Sequence, residues 1–180
     1  MYCYKIGEIG KVVVGGTPST KINSYWNGEI SWITPKDLSN FKGKYISNGE
    51  RNISEEGLNN SSAKLMPKNT VLLSSRAPIG YVAIASKKLT TNQGFKSLIC
   101  DESICYFEYF YYWLKLNVEY IIQNSSGSTF KEISATTFKN LEIHLPSLKE
   151  QHIISDILKK IDQKIEINNE INNNKLDLWT

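Results

Sequence analysis

His144 and His152 stand eight residues apart across a strand–helix junction, with no cysteine or carboxylate cluster beside them. That spacing does not describe a metal site. Asp162-Gln163-Lys164 has the Asp-x-Lys form of one nuclease motif, but it falls inside a helical run with no Pro-Asp before it, and reads as an exposed i,i+2 coincidence. The chain has no Gly-rich nucleotide loop, no Ser/His/Asp set and no Pro-Pro-Tyr-type methyltransferase motif. No catalytic centre, cofactor or metal is therefore expected. What the residues do offer is anion recognition. Residues 1–100 hold thirteen Lys/Arg against six Asp/Glu, or +7, and residues 101–180 hold eight against twelve, or −4. A basic front half suits a phosphate backbone, whose counterions basic side chains displace, and an acidic back half suits a protein partner. The same excess also fits a merely solubilising surface.

Arg76 lies in a tight turn between two apolar strands, where it can present its guanidinium to guanine O6 and N7, touch a phosphate, or brace the turn against carbonyls. Lys87 and Lys88 fall at the next turn, as a solvated pair or as phosphate contacts. Asn92-Gln93 can bond adenine in the major groove, or shape a turn. Lys36, Lys42, Lys44, Arg51 and Lys64 lie in a polar, basic stretch suited to base readout, and Lys21 and Lys96 complete the basic set. Gly15, Gly16 and Gly28 read as backbone positions. Trp26 and Trp32 read as core. The run Tyr106-Phe107, Tyr109-Phe110-Tyr111-Tyr112-Trp113 invites base stacking, but helical spacing spreads it round the axis and sends most of it inside.

The elements that must hold these residues follow from pattern. Ile6–Val14 predicts a strand ending at Gly15-Gly16-Thr17-Pro18. Asn27-Gly28 before Ile30-Ser31-Trp32-Ile33 predicts the opening of a hairpin. Residues 39–62 predict loop, with a short strand near Tyr45-Ile46 and a helical turn from Ser54. Thr70–Ser75 and Tyr81–Ala85 predict a hairpin, Phe95–Cys100 a further strand, Ser103–Gln123 helix, Asn124–Ser128 loop and Leu141–Leu145 the last strand. Ser147-Leu148-Lys149-Glu150 is a capping box opening a helix. Ile154, Leu158, Ile161 and Ile165, spaced by four, three and four, predict a seam for a second helix. Asn168 and Asn172 continue it with amides that can fix register. From Ser147 to the end such a helix runs about 45–50 Å, longer than one DNA turn of about 34–36 Å.

Several segments together resemble the recognition half of a type I restriction-modification specificity subunit. Gly15-Gly16-Thr17-Pro18-Ser19 with Trp26-Asn27-Gly28, Ile30-Ser31-Trp32-Ile33 and Asp37-Leu38 resemble the family's opening. Ser74-Ser75-Arg76-Ala77-Pro78-Ile79-Gly80 and Asn92-Gln93-Gly94-Phe95 resemble its middle. Gly127-Ser128-Thr129, Leu145-Pro146 and Glu150-Gln151 resemble its exit into a long helix. Each is weak alone; in register they are specific. The resemblance implies an α+β target recognition domain over residues 1–146 and a coiled-coil-forming helix over 147–180. It implies a non-catalytic subunit that binds one half of a split double-stranded DNA target, with methyltransferase and restriction subunits as partners. Because Arg76 and Asn92-Gln93 lie in shared motifs while specificity varies, phosphate contact or bracing suits Arg76 better than base reading, and shaping a turn suits Asn92-Gln93 better.

No second copy of any segment is visible, so the chain reads as a single unit that dimerises or pairs with another specificity half. The close at Leu176-Asp177-Leu178-Trp179-Thr180 has no helix stop and slightly favours truncation within a longer helix. The rival readings are an assembly subunit that acts through its helix without reading DNA and, far behind, a small nuclease. With 41% apolar and 22% charged residues, no apolar run of membrane-spanning length and no signal-type N-terminus, the composition predicts a globular cytoplasmic protein. Cys3, Cys100 and Cys105, odd in number, fit free thiols in a reducing compartment.

Overall fold

The computed structural model describes residues 1–128 and 131–177, so Thr129 of the exit motif and the closing Leu178-Trp179-Thr180 lie outside the described residues. The fold is α+β, as expected, and closes on a long C-terminal helix. In chain order the strands are β1 (Tyr2–Lys5), β2 (Gly10–Val14), β3 (Trp26–Ile33), β4 (Tyr45–Ile46) and β5 (Arg51–Ile53), then β6 (Val71–Ser75), β7 (Ile79–Ala85), β8 (Thr90–Thr91), β9 (Lys96–Cys100) and β10 (Glu142–Leu145). The helices are α1 (Pro35–Ser39), α2 (Glu55–Asn59), α3 (Phe107–Leu116), α4 (Val118–Gln123), α5 (Ala135–Asn140) and α6 (Leu148–Asp177).

The central sheet runs β2-β9-β6-β7-β4, antiparallel except for the parallel β4–β7 edge. Both faces are covered, which is why β6 is buried throughout and opens with the unbroken apolar run Val71-Leu72-Leu73 rather than alternating. Val71 and Leu73 point into a core shared with Phe110 and Leu114 of α3, Ile121 of α4 and Phe138 of α5. Leu72 points the other way, toward Ile33, Leu38, Met66 and Phe95. A three-stranded sheet, β5-β3-β8, carries the third core, with Trp26 and Trp32 packed edge to face. The two tryptophans are core, as expected.

Several local expectations are corrected. Ile6–Glu8 is a 3-10 turn, and the strand begins only at Gly10. Asn27-Gly28 makes no hairpin. Asn27 takes φ 60° inside β3, where Trp26 and Ile30 both face Ile53 across a bulge. The helical run from Ser103 starts only at Phe107 and breaks at Asn117 into α3 and α4. β5, α5 and the pairing of β1 with β10 were not read from the sequence.

Gly15 and Gly16 serve close approach rather than unusual dihedrals. A Cβ on Gly15 would stand 2.0 Å from the Asn92 carbonyl oxygen, and one on Gly16 would stand 2.4 Å from the Ala63 nitrogen. The Trp32 indole N–H donates to the Gly16 carbonyl at 2.9 Å, pinning that approach. Gly16→Ala is expected to cost about 2 kcal/mol or more by overpacking against rigid backbone. A urea melt checks this; an unmoved midpoint would mean that the loop can retreat at no cost.

Candidate nucleic-acid interface

The basic candidates separate into three neighbourhoods. The first surrounds the turn from β4 to β5, which crosses from the central sheet to the three-stranded one. Asp37, in the capping box of α1, accepts the Glu50 backbone N–H at 2.7 Å and so ties the turn down. Lys36 pairs with Glu50 at 2.7 Å, with both side chains exposed. Lys87 donates to Asn48 Oδ1 at 2.8 Å, and the Ser31 hydroxyl donates to the same oxygen at 3.0 Å. Lys88 is exposed beside Lys87. The antiparallel Met66–Leu89 bridge brings Lys68, also exposed, opposite this pair. Sequence reasoning missed Lys68. The signal was available in its place after Pro67, two residues before a strand, but strand pairing was needed to aim it. Arg51 lays its guanidinium 3.6 Å over the Trp26 ring, a stacking that holds the residue at the sheet surface. Lys21 and Lys64 are exposed on the flanking loops.

The second neighbourhood is the Arg76 turn, whose tip holds a cis Ala77-Pro78 bond. Arg76 pairs with Glu132 at 3.5 Å, and the space a Gly94 side chain would fill is bounded by Asn92, Pro35 and the Arg76 Nε. Asn92 accepts the Gly94 N–H at 2.9 Å, shaping the turn, and Thr17 donates to Gln93. These residues brace loops. Lys96 corrects the sequence reading. It is 5% exposed, and its ammonium donates to Ser75 Oγ at 3.0 Å and to Glu132 at 3.2 Å, so it has no path to a phosphate. A buried ammonium must keep such partners.

The third neighbourhood joins the globular body to α6. Ser147 and Glu150 form the expected capping box, with Glu150 accepting the Ser147 N–H at 2.9 Å. Gln151 is buried and satisfied on every side: it accepts the Tyr106 N–H at 2.8 Å and donates to the carbonyls of Ile104 and Pro146 at 3.0 Å each. His152 packs on the Tyr106 ring at 3.9 Å between centroids, while His144 is exposed on β10. Lys44, a candidate for DNA contact, is turned inward, 3.3 Å from buried Glu108 and 3.2 Å from the Tyr112 hydroxyl. Lys42, on the same loop, is exposed. Asp162 is no exposed coincidence; it accepts the Tyr112 hydroxyl at 2.7 Å. Burial works to raise the Glu108 carboxyl, but the Tyr45 hydroxyl and the Lys44 and Lys159 ammoniums outweigh it and hold the carboxyl below the ordinary glutamate range. Burial, with the Asp162 bond second, pushes the Tyr112 phenol up.

The seam reading of α6 also needs one correction. Gln151, Ser155, Leu158 and Asp162, spaced by four, three and four, form the face that packs on the body, and Leu158 touches the main core. Ile154, Ile161 and Ile165 are exposed, together with Ile153, Ile157 and Ile171, which the seam omitted. Asn168 and Asn172 are exposed too. Helical geometry puts Ile154, Ile157, Ile161 and Asn168 on one stripe, roughly a quarter-turn from the docking face. The aromatic run of α3 is core, as expected.

Among the described residues no group of three or more His, Cys, Asp or Glu is placed to hold a metal, and no helix is long and apolar enough to cross a membrane. A family model described as type I restriction modification DNA specificity domain matches residues 2–175. The chain is 51% identical over 164 residues to the type I restriction enzyme MjaIX specificity subunit of Methanocaldococcus jannaschii, across 90% of this chain and 38% of that protein. It is 32% identical over 164 residues to a type I restriction enzyme specificity subunit of Escherichia coli, across 87% of this chain and 40% of that one. Among solved structures, the HsdS subunit from Thermoanaerobacter tengcongensis superposes with a TM-score of 0.72 at 19% identity, over 94% of this chain and 39% of that chain. A chain from a structure of type I R-M system assembly and conformational transition superposes at 0.74 and 22% identity, over 94% of this chain and 40% of that chain. At such identities the likeness concerns the fold. The chain spans about two fifths of the length of the curated relatives it matches.

Proposed function

The chain belongs to the type I restriction-modification DNA specificity family, and from that premise we propose that it binds one half of a bipartite duplex target and positions methyltransferase and restriction subunits there, with no chemistry of its own. Residues 1–146 are the reading domain. The helix from residue 147 is the assembly element, which pairs with a second copy or with another specificity half and offers its sides to the methyltransferase. The observation that carries this reading is that one unit bears two unlike surfaces. One is a lysine-bearing edge formed by Lys68, Lys87 and Lys88 around the β4–β5 turn. The other is an exposed isoleucine face on a helix of thirty residues, about 45 Å long. The first suits phosphates and the second suits another helix. A chain that works on DNA beside its partner subunits belongs in the cytoplasm, in keeping with its three free cysteines.

The test is selection from a random duplex pool by this chain together with a methyltransferase subunit. The expected product is an inverted repeat with a fixed gap, or a single half-site where pairing is with a different unit. A folded sample that enriches no sequence would refute the DNA-reading role and return the chain to an assembly role.

A further inference from the structure

Glu108 is 2% exposed in the first turn of α3, within its aromatic run, and such a buried carboxylate demands explanation. Its Oε1 accepts the Tyr45 hydroxyl and stands 3.3 Å from Lys44 and 3.9 Å from Lys159, while Oε2 has no hydrogen-bond partner. Tyr112, one turn further along α3, accepts from Lys44 and donates to Asp162. Lys159 and Asp162 belong to α6, Glu108 and Tyr112 to α3, and Lys44 and Tyr45 to the loop before β4 and its first residue. Three separate parts of the chain thus meet on one small polar cluster, and beyond it residues 163–172 of α6 are all exposed. Beside it a groove of about 860 Å³ runs between the helix and the 42–45 loop, so the helix has open space to swing into.

We propose that this cluster is a joint that fixes the angle at which α6 leaves the globular body, and that the angle sets the gap between the two half-sites read by a helix-paired pair of units. The second half of the proposal rests on the function proposed above. An apolar contact would hold the helix with little directional preference, because the hydrophobic effect is non-directional. Hydrogen bonds and ion pairs in a buried setting hold it in one orientation. The lever is long enough to matter. Fifteen residues beyond Asp162 span about 22 Å, so a tilt of about 10° moves the far end by about 4 Å, close to one base-pair step of about 3.4 Å. The joint also includes Lys44, whose loop neighbour Lys42 is free to meet DNA, so contact on that loop is coupled to helix direction.

Tyr112, Asp162 and Glu108 are positioning residues on this reading. Tyr112→Phe keeps the ring and removes only the hydroxyl that links the loop to the helix; Asp162→Ala cuts the same link from the helix side without touching the core. Spin labels at Glu29→Cys and Lys164→Cys, in a Cys3→Ser background, report the distance from body to helix. In both variants, shown by melting to be folded, the distance distribution is expected to broaden or shift by several ångströms. Duplex selection is expected to return the parent half-site with a gap changed or loosened by one or two base pairs. Unchanged distance distributions in both variants would overturn the joint. A changed distribution with an unchanged gap would overturn its role in spacing. A parent protein that enriches no duplex would overturn the reading function and the spacing role together, leaving the distance measurement to decide the joint alone.

Discussion

Replacing Ile154, Ile157 and Ile161 together by serine is expected to leave a folded monomer whose affinity for duplex DNA is lower by about a hundredfold or more, the factor that linked binding of two sites contributes. The three are 38%, 53% and 47% exposed, so no core is opened by their loss and the melting temperature should barely change. They are spaced by three and four along one stripe of α6, the arrangement by which one helix seats another. Leu158→Ser, by contrast, is expected to leave pairing intact and lower stability by about 1–3 kcal/mol, because Leu158 packs against the body's own core. Light-scattering mass with a thermal melt separates the two outcomes. A triple variant that keeps the parent's mass would remove this face as the pairing surface, whatever its effect on DNA.

The confusion of Leu158 with that face shows what periodicity can and cannot carry. The docking stripe Gln151, Ser155, Leu158 and Asp162 has the same four-three-four rhythm as the seam read from the sequence, but three of its members are polar. An apolar count overlooks such a stripe, although a buried amide with three partners anchors a helix well. Glu108 was overlooked for the related reason that an aromatic run is read by its majority. The capping box at Ser147, the β6–β7 hairpin and the aromatic core were legible because each is decided within a few neighbouring residues. β5, three residues long, is made by its pairing with β3, and β1 by its pairing with β10 nearly the whole chain away. Asn27-Gly28 carried a true local turn signal that tertiary packing redirected: Gly28 lies where a Cβ would stand 2.5 Å from Ser54 Cα, so the pair makes a bulge against the neighbouring strand.

Substituting glutamine for Lys68, Lys87 and Lys88 together is expected to weaken binding to duplexes of any sequence, on the order of a hundredfold near 0.1 M salt, and to flatten the dependence of log affinity on log salt by about 0.9 for each phosphate no longer neutralised. The three belong together because strand pairing gathers them, with Met66 and Leu89 bridged and all three ammoniums at the exposed edge. Lys36 lies near them but is partly neutralised by Glu50, so its own substitution should change the slope less. Lys96→Met supplies the contrast. It removes a cation of equal charge that is buried against Ser75 and Glu132, so it should lower stability and leave the salt slope unchanged. Net charge falls in both experiments, by three in one and by one in the other. If general attraction to the basic half governed binding, the slope would shift in proportion to charge removed, Lys96 included. If phosphates are gripped at a defined edge, only the surface lysines will move it. A fluorescence titration of each variant against a fixed duplex, repeated across salt, decides between a diffuse basic surface and a built contact.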